Sequence, residues 1–508
     1  MKNEFVNKYQ DKIQGVLSCY DRIVIKGTLP NASHVGAMTN LLYRKDYLLK
    51  DITQFTNPLR NEVYANAKKI AKSAGIEIEY IRQPKKVRKE DLVKKAIANR
   101  GITRGLVCIL SATESCLDYK CKTDKSTGHT YLYRTGGKCT HFYFYFLDDT
   151  YGLCYLRVPT WCPFQLQFYF NAHNWLAIQL DKAQIKYELR DNAFTYIEDY
   201  DKAQSIANSL DAKDLQNKLD DLADLYCPVY KAITSTGYHW SLMQIEYATD
   251  IVFKDKKTLA PIYDNILKSV MHTITPNDVA RFLGRKGVHG KNDLPLDTSY
   301  KHVMRDEMRR IKHRMDSSSV KIYDKFSQVL RIETTTNNTT NFYHLRSVAH
   351  RDGSKSSKIA PVKKSIYSLK ALVPIMGGCN NRYLKYISAF DAPIAGKKKL
   401  NKLCKPIRVN NRTHKGFNLF DKEDERLLSL IAKGEFIIHG FRNKDLRKEL
   451  KDKSSSQISR IVQRLRLKGL IKKVNKTYRY YLTALGNKVI KTALKVKELF
   501  IVQELSIS

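Results

Sequence analysis

Four side chains in or beside strand-like segments have the chemistry that phosphodiester cleavage requires. They are Asp21, Glu114, Tyr323 and Glu333. Such cleavage uses carboxylates that hold metal ions, or a nucleophilic tyrosine beside a metal bound by histidine. No regular spacing connects the four residues. They are therefore candidates for catalysis without a complete catalytic motif, and Mg²⁺ or Mn²⁺ is expected only if the protein is a nuclease.

Structural roles also account for these residues. Asp21 is followed directly by Arg22, which predicts an ion pair at the end of a strand. The β-rich segments 320–323 and 329–335 are separated by a turn, which predicts a hairpin. Its polar side chains are expected to form a buried pairing that includes a cross-strand Arg–Glu contact, and they are Tyr323, Asp324, Arg331 and Glu333.

The segment 321–335 combines Tyr-Asp-Lys with a later Leu-Arg-Ile-Glu. It resembles a passage in replication initiators of the filamentous-phage and plasmid type, which implies a nicking enzyme. Those initiators also carry a His-hydrophobic-His metal motif. The sequence departs from that motif, because His141-Phe142-Tyr143 contains one histidine instead of two.

A group of cysteines and histidines invites comparison with zinc sites. The residues are Cys116, Cys121, His129, Cys139 and His141. Structural zinc sites usually pair cysteines two to four residues apart, and this spacing is irregular. We therefore predict no metal site, and we expect the ten cysteines to be reduced and mostly buried.

The last segment, from about residue 420 to 505, has the pattern of a winged helix-turn-helix. Residues 422–433 and 443–450 are amphipathic, and Ser454, Ser455 or Ser456 can cap a third helix that ends at Gly469. Two short β-rich segments follow, 470–474 and 477–482. The third helix is expected to bury Ile458, Ile461, Val462 and Leu465.

Polar residues on the third helix and the wing are the predicted DNA contacts. On the helix they are Ser456, Gln457, Ser459, Arg460, Gln463 and Arg464, and on the wing they are Lys472, Lys473, Lys476 and Arg479. Serine, glutamine and arginine can contact base edges, and wing cations can contact the phosphate backbone. The stretch 455–486, with its Leu-Thr-Ala-Leu-Gly ending, resembles MarR-like winged-helix regulators. A winged helix that docks on a protein is the alternative.

The net charge also predicts a nucleic-acid partner. The chain carries 89 Lys and Arg against 50 Asp and Glu, a net charge of +39. Residues 301–420 contribute 26 basic and 7 acidic residues, and residues 421–508 contribute 21 and 10. A polyanion such as DNA or RNA is the usual partner for an excess of this size. The nucleic-acid surface is thus expected in the last two-fifths of the chain.

The whole chain is predicted to be an α+β multidomain protein, with a mixed α/β N-terminal region, a helical middle and a C-terminal winged helix. The expected segments are 1–200, with an aromatic-rich β-meander, a helical 201–300, a basic, β-containing 301–395, a linker at 396–419 and the winged helix at 420–508. Helices are predicted at 58–74, 89–99, 163–180, 240–253 and 259–271, and a linker at 351–358. As a whole, the chain resembles a bacterial family that lacks an assigned activity.

These patterns favour a cytoplasmic protein that recognises double-stranded DNA, as a transcriptional regulator or as part of a mobile element. The start lacks the apolar core of a signal peptide, and no apolar stretch is long enough for a membrane span, so no membrane partner is expected. A homodimer remains open. Two other functions also remain open: a replication initiator or transposase that cleaves phosphodiesters, and an RNA-binding protein that stacks bases on its aromatic-rich half.

Overall fold

A computed structural model describes residues 3–82, 87–274, 276–285, 296–303, 308–390, 404–409, 412–418, 421–474, 477–487 and 490. The chain divides into two compact units. The first, here called the terminal unit, consists of Met1–Val16, Ala248–Thr334 and Met376–Ser508. The second, the central unit, consists of Leu17–Tyr247 and Thr335–Ile375. The protein is an α+β multidomain fold, as predicted.

The helices have the following bounds. They are α1 Glu4–Lys8, α2 Val35–Arg44, α3 Ile52–Ser73, α4 Lys89–Arg100, α5 Ala172–Lys182, α6 Tyr200–Ala207, α7 Ala212–Tyr226, α8 Lys256–Thr273, α9 Pro276–Phe282, α10 Leu369–Phe390, α11 Lys422–Ile431, α12 Gly434–His439, α13 Asn443–Glu449 and α14 Ser455–Leu467. Short 3-10 turns occur at Pro30–Ala32, Leu49–Asp51, Pro228–Ala232, Thr339–Asn341 and Ile366–Ser368.

The strands are numbered in the same way. They are β1 Ile13–Thr28, β2 Ile78–Tyr80, β3 Gly105–Thr123, β4 Thr130–Asp148, β5 Gly152–Pro159, β6 Leu166–Asn171, β7 Tyr187–Arg190, β8 Ala193–Ile197, β9 His239–Phe253, β10 Leu296–Val303, β11 Met308–Met315, β12 Ser318–Lys325, β13 Val329–Thr336, β14 Tyr343–Ala349, β15 Lys355–Pro361, β16 Ile407–Val409, β17 Arg412–His414, β18 Ile471–Lys473 and β19 Tyr480–Leu482.

The central unit is built around a sheet in the order β1-β6-β5-β4-β3-β2. Neighbouring strands are antiparallel except for β2 and β3, which are parallel. The predicted aromatic meander is confirmed as β4 and β5, which pair antiparallel. Its rings fill the core: the centroid of Phe144 lies 4.4 Å from that of Tyr226 on α7. Dense aromatic packing of this kind explains most of the Tyr and Phe residues between 142 and 170.

The terminal unit contains strands in the order β10-β11-β12-β13-β9. The predicted hairpin at 320–335 is confirmed as β12 and β13. Apolar residues of α8, α9 and α10 pack with these strands in one buried cluster, which includes Ile266, Phe282, Ile322 and Tyr386. This cluster also contains Ile437 and Ile438 of α12, so the C-terminal module packs against the same core.

The C-terminal module has the element order of a winged helix, as predicted. Helices α11 to α14 are followed by the two-stranded β18–β19 wing, and Phe441 forms an isolated bridge with Tyr480. A separate apolar cluster holds the module together, with Leu428, Ile458 and Val462 among its members. At the start of α12, the backbone N–H of Gly434 donates to the Asp278 carboxylate over 2.7 Å.

Two predicted helices are wrong. Residues 240–253 form strand β9, because most of its side chains are buried and pack on both faces of a sheet, which overrides a helical spacing of apolar residues. Residues 163–180 are divided: strand β6 comes first, and α5 begins at Ala172 after Asn171, whose side chain accepts from the His173 N–H.

The predicted linker at 351–358 is also wrong. Residues 355–361 form β15, which pairs antiparallel with β14, so the glycine and serine residues belong to a hairpin. The predicted helices at 58–74, 89–99 and 259–271 are confirmed as α3, α4 and α8. Within the predicted linker at 396–419, residues 404–409 and 412–418 are described, and they include the short antiparallel strands β16 and β17. The rest of that linker lies outside the described residues, as do residues 304–307 of the basic segment 301–395.

His313 on β11 gives the terminal unit a pH-dependent stability. Its ring is fully buried, with Nδ1 3.0 Å from the Thr298 hydroxyl and Nε2 3.1 Å from the Tyr383 hydroxyl. Burial lowers the pKa of His313 from 6.5 to about 4. Because the unfolded chain takes up this proton more readily, stability falls as pH drops from about 6.5 to 4, by about 3 kcal/mol in total.

We expect His313→Gln to weaken this pH dependence, because glutamine keeps polar contacts but does not titrate. The measurement is urea unfolding of the full chain at a series of pH values from 7.5 to 4.5. His350→Gln, which removes an exposed ring, is the control and should unfold with the wild-type pH dependence. An unchanged pH dependence in His313→Gln would contradict the assignment.

Candidate functional site

Helix α14 presents a polar face to solvent. Ser454 caps it in a capping box: its hydroxyl accepts from the Gln457 N–H over 3.3 Å, and its own N–H donates to the Gln457 side chain over 2.6 Å. Ile458, Val462 and Leu465 are buried, as predicted, while Ile461 is half-buried. The remaining face of the helix is therefore free of core packing.

Several predicted contacts on α14 are engaged within the protein. Gln457 belongs to the capping box, and Ser459 accepts from the Asn443 side chain over 3.4 Å. Arg464 is held most firmly. It forms a two-pronged ion pair with Asp424 at 2.7 and 2.8 Å, and its guanidinium stacks 3.9 Å above the centroid of the Phe417 ring. Arg464 therefore stabilises the module and is not available to contact bases.

Among the predicted contacts on α14, Arg460 and Gln463 remain available. Both are exposed, and neither makes a side-chain hydrogen bond within the part of the chain that the structure describes. They are three residues apart, so they lie on the same face of the helix. Ser456 is also exposed, and its hydroxyl lies 3.0 Å from that of Ser454.

The wing carries cations and one aromatic ring. Lys472 and Lys473 are exposed on β18, where Lys472 is opposite Tyr481 in the ladder. Arg479 donates to the carbonyl of His439 over 2.6 Å, so its guanidinium is partly used inside the module. Lys476 lies outside the described residues.

Tyr478 is a wing residue that the sequence analysis missed. Its ring is 81% exposed, and the Lys473 ammonium lies 5.2 Å from its centroid. The available signal was an aromatic residue near the start of the predicted wing strand 477–482. A ring this exposed beside a cation suits a backbone-contacting wing.

A buried polar cluster surrounds Asp21 in the central unit. The Asp21 carboxylate is 4% exposed and accepts from Asn171 over 2.7 Å and from Asn192 over 2.8 and 2.9 Å. The predicted ion pair with Arg22 is wrong, because neighbouring residues on a strand point to opposite faces. The Arg22 guanidinium instead lies 5.0 Å from the centroid of the Tyr169 ring.

His173 extends this cluster to a thiol. Its Nδ1 lies 3.2 Å from Asp21 Oδ1, and its Nε2 lies 3.3 Å from Cys19 Sγ. Cysteine, histidine and aspartate in this order resemble the nucleophile, base and orienting acid of thiol enzymes. However, His173 is fully buried and Cys19 is only 4% exposed, so a substrate cannot reach the sulfur in this conformation.

Glu246 is the side chain of the central unit that could complete a cation site with Asp21. A carboxylate oxygen of Glu246 lies within 4.8 Å of one of Asp21. The Thr335 hydroxyl donates to Glu246 over 3.3 Å. Two carboxylates at this separation can share a divalent cation such as Mg²⁺ or Mn²⁺, because both ions prefer oxygen ligands.

Glu114 lies in a different part of the central unit. It accepts from Lys89 over 2.8 Å and from the Tyr143 hydroxyl over 2.6 Å, and Arg157 lies 3.6 Å away. Burial alone would raise the pKa of Glu114, but the hydrogen bonds from Lys89 and Tyr143 lower it below its ordinary value. Glu114 is therefore a paired carboxylate, not a proton donor at neutral pH.

The hairpin of β12 and β13 contains the predicted polar pairing, with different partners. Lys321 and Tyr323 both donate to Glu333. Arg331 is fully buried and forms a two-pronged ion pair with Asp250 at 2.6 Å. Asp324 lies 3.8 Å from the Arg309 guanidinium, an ion pair outside this group. These contacts give Tyr323 and Glu333 structural partners in the terminal unit.

The cysteines and histidines compared with a zinc site do not share one position. A hydrogen bond with the Cys116 thiol lowers the pKa of the Cys139 thiol, whose sulfur lies 3.9 Å from His141 Nδ1. Cys121 is an odd number of residues from Cys116 on β3, so it points to the opposite face. His129 precedes β4 and stacks on Tyr131.

Comparison of the chain with protein-family models, with curated proteins and with solved structures finds no match. Among the described residues, no helix is both long and apolar enough to cross a membrane.

We expect Asp21→Ala to lower the free energy of unfolding by about 3 kcal/mol, because it removes the carboxylate that accepts from the buried amide of Asn171 and the half-buried amide of Asn192. The measurement is urea unfolding of the full chain at neutral pH. Asp191→Ala is the control, since that carboxylate is 64% exposed and its distance from Lys94 is 3.9 Å. Equal stability losses in the two variants would contradict a structural role for Asp21.

Proposed function

We propose that this protein binds double-stranded DNA through its C-terminal winged helix, as a transcriptional regulator or as the DNA-recognition protein of a mobile element. The observation that carries the proposal is the exposed pair Arg460 and Gln463 on α14, beside the wing cations Lys472 and Lys473. We also propose that it acts in the cytoplasm.

The chemistry of this pair matches base edges in the major groove. Arginine donates two hydrogen bonds to guanine, and glutamine can donate to and accept from adenine. A recognition helix lies in the major groove, and Arg460 is on the exposed face in the middle of α14. The ion pair of Arg464 with Asp424 supports this use of the helix, because it holds α14 against α11 while Arg460 remains exposed.

The charge distribution supports a larger footprint. Residues 301–420 and 421–508 carry most of the net positive charge of the chain. Exposed Lys444, Arg447 and Lys448 on α13 add cations next to α14. Contacts of this kind contribute sequence-independent affinity, while the side chains that reach base edges supply specificity.

We expect Arg460→Ala to weaken binding to a preferred duplex by about 1–3 kcal/mol, or roughly 5- to 150-fold in Kd, because it removes a contact to bases or phosphate. A preferred duplex is first selected from a random library, and affinities are then measured at one fixed salt concentration. Stability should stay at the wild-type level, since Arg460 has no partner among the described residues.

Two control variants separate binding from folding. Lys422→Ala removes an exposed cation from α11 and should leave duplex affinity nearly unchanged. Arg464→Ala should instead destabilise the module, because it leaves Asp424 without its ion-pair partner. Wild-type affinity in Arg460→Ala would reject α14 as the recognition helix.

A second candidate function, phosphodiester cleavage, is favoured by the Asp21–Glu246 carboxylate pair. Mg²⁺ or Mn²⁺ held there could activate a water and stabilise the leaving oxygen. Under this alternative, the purified protein cleaves labelled DNA or RNA only with a divalent cation, and Glu246→Gln abolishes cleavage while duplex binding persists. Absence of cleavage with either metal on duplex, single-stranded DNA and RNA would exclude it.

A further inference from the structure

Strands β3 and β4 extend beyond the rest of their sheet as a two-stranded arm, defined here as residues 116–123 and 130–137. Strand β5 pairs only with residues 141–148 of β4, so the arm continues past the end of β5. Its ladder is regular: Lys120 is opposite Tyr133, and Lys122 is opposite Tyr131. The pleat places these four side chains on one face.

The other face of the arm is buried. Tyr119 is 5% exposed and Leu132 is 3% exposed, and the Tyr119 hydroxyl donates to the carbonyl of Ala32 over 2.9 Å. These contacts fix the arm to the body of the central unit. The face with Lys120, Lys122, Tyr131 and Tyr133 is consequently held in place with its side chains exposed.

Trp161 continues this surface toward the body of the unit. Its ring lies over Gly137, where a Cβ atom would come within 2.6 Å of the indole. Trp161 lines a cavity of about 560 Å³ that also contains Arg134 and Arg157, and another of about 400 Å³ that contains Lys50 and Arg60. The half-exposed indole therefore lies between cationic side chains.

We propose that this surface binds a strand of unpaired nucleotides. Tyr131, Tyr133 and Trp161 offer faces on which bases can stack, and the lysines beside the tyrosines are placed to contact phosphates. Each exposed tyrosine faces a lysine across the ladder, an alternation that suits a polymer of bases and phosphates. A duplex hides its base faces in its own stack, so the arm prefers single strands. The site does not depend on the winged helix.

Tryptophan fluorescence tests the site directly. The chain has three tryptophans, and Trp175 and Trp240 are buried, at 7% and 2% exposure. Quenching by an oligonucleotide should therefore come from Trp161. We expect a thymidine or a uridine oligonucleotide to quench the emission and to protect it from acrylamide, and Trp161→Phe to remove both effects. The two oligonucleotides distinguish a DNA strand from an RNA strand.

Affinity measurements on tyrosine variants complete the test. Tyr131→Ser combined with Tyr133→Ser should weaken single-strand binding about tenfold or more, because two stacking platforms are lost. Tyr196→Ser is the matched control, since Tyr196 on β8 has a similar exposure of 37%, and it should leave binding unchanged. Circular dichroism verifies that each variant is folded.

The winged helix provides the remaining control. Arg460→Ala should leave single-strand affinity unchanged, whereas the double tyrosine variant should leave duplex affinity unchanged. Wild-type single-strand affinity in the folded double tyrosine variant would overturn the proposal. So would an equal loss of single-strand and duplex binding, or quenching that persists in Trp161→Phe. Duplex recognition by α14 is tested separately, by the duplex affinity of Arg460→Ala.

Discussion

Charged side chains buried inside a sheet must be paired, and both units obey this constraint. The ion pair between Arg331 and Asp250 in the terminal unit is an example. Arg331 is fully buried, and both prongs of its guanidinium lie 2.6 Å from the carboxylate. An unpaired charge at such a position costs several kilocalories per mole. The same requirement accounts for Glu333 with Lys321 and Tyr323 in the terminal unit.

In the central unit this constraint operates through amides and an imidazole. Asn171, Asn192 and His173 surround the carboxylate of Asp21. Their side chains come from β6, the start of α5 and the turn between β7 and β8. Asp21 therefore ties together elements that are distant in sequence, which is the role of a structural charge. The nearby carboxylate of Glu246 gives the cluster a chemical use besides this structural one.

Ion pairs within the protein also decide which cationic side chains remain available to contact a ligand. In the C-terminal module, Arg464 pairs with Asp424 and stacks on the ring of Phe417, while Arg460, four residues earlier, is exposed. In the central unit, Arg157 is shared between Glu114 and Gln167, while Lys120 and Lys122 on the β3–β4 arm are exposed. The two proposed surfaces follow from this difference and suit different ligands: a groove-reading helix for duplexes, and exposed rings for single strands.

Local patterns in the sequence were sufficient for elements whose determinants are local. The cap at Ser454, the apolar spacing of Ile458, Val462 and Leu465, and the wing strands together predicted α14 and its module correctly. The long strand β1 and the aromatic meander were also predictable, because β-branched and aromatic residues are concentrated there. By contrast, residues 240–253 have apolar spacings that fit a helix, and only packing on both faces of a sheet made them a strand.

The sequence by itself determined the composition, the positive charge of the last two-fifths and the winged-helix pattern. Only the tertiary structure decided which side chains form hydrogen bonds and ion pairs with each other. Asp21 accepts hydrogen bonds from Asn171 and Asn192, which are 150 and 171 residues away in the sequence. Arg464 and Asp424 are 40 residues apart. Such pairs form because burial in the fold removes water from both groups, and nothing in the neighbouring residues specifies them. The exposed face of the β3–β4 arm was decided in the same way, by the packing of Tyr119 and Leu132 on its other side.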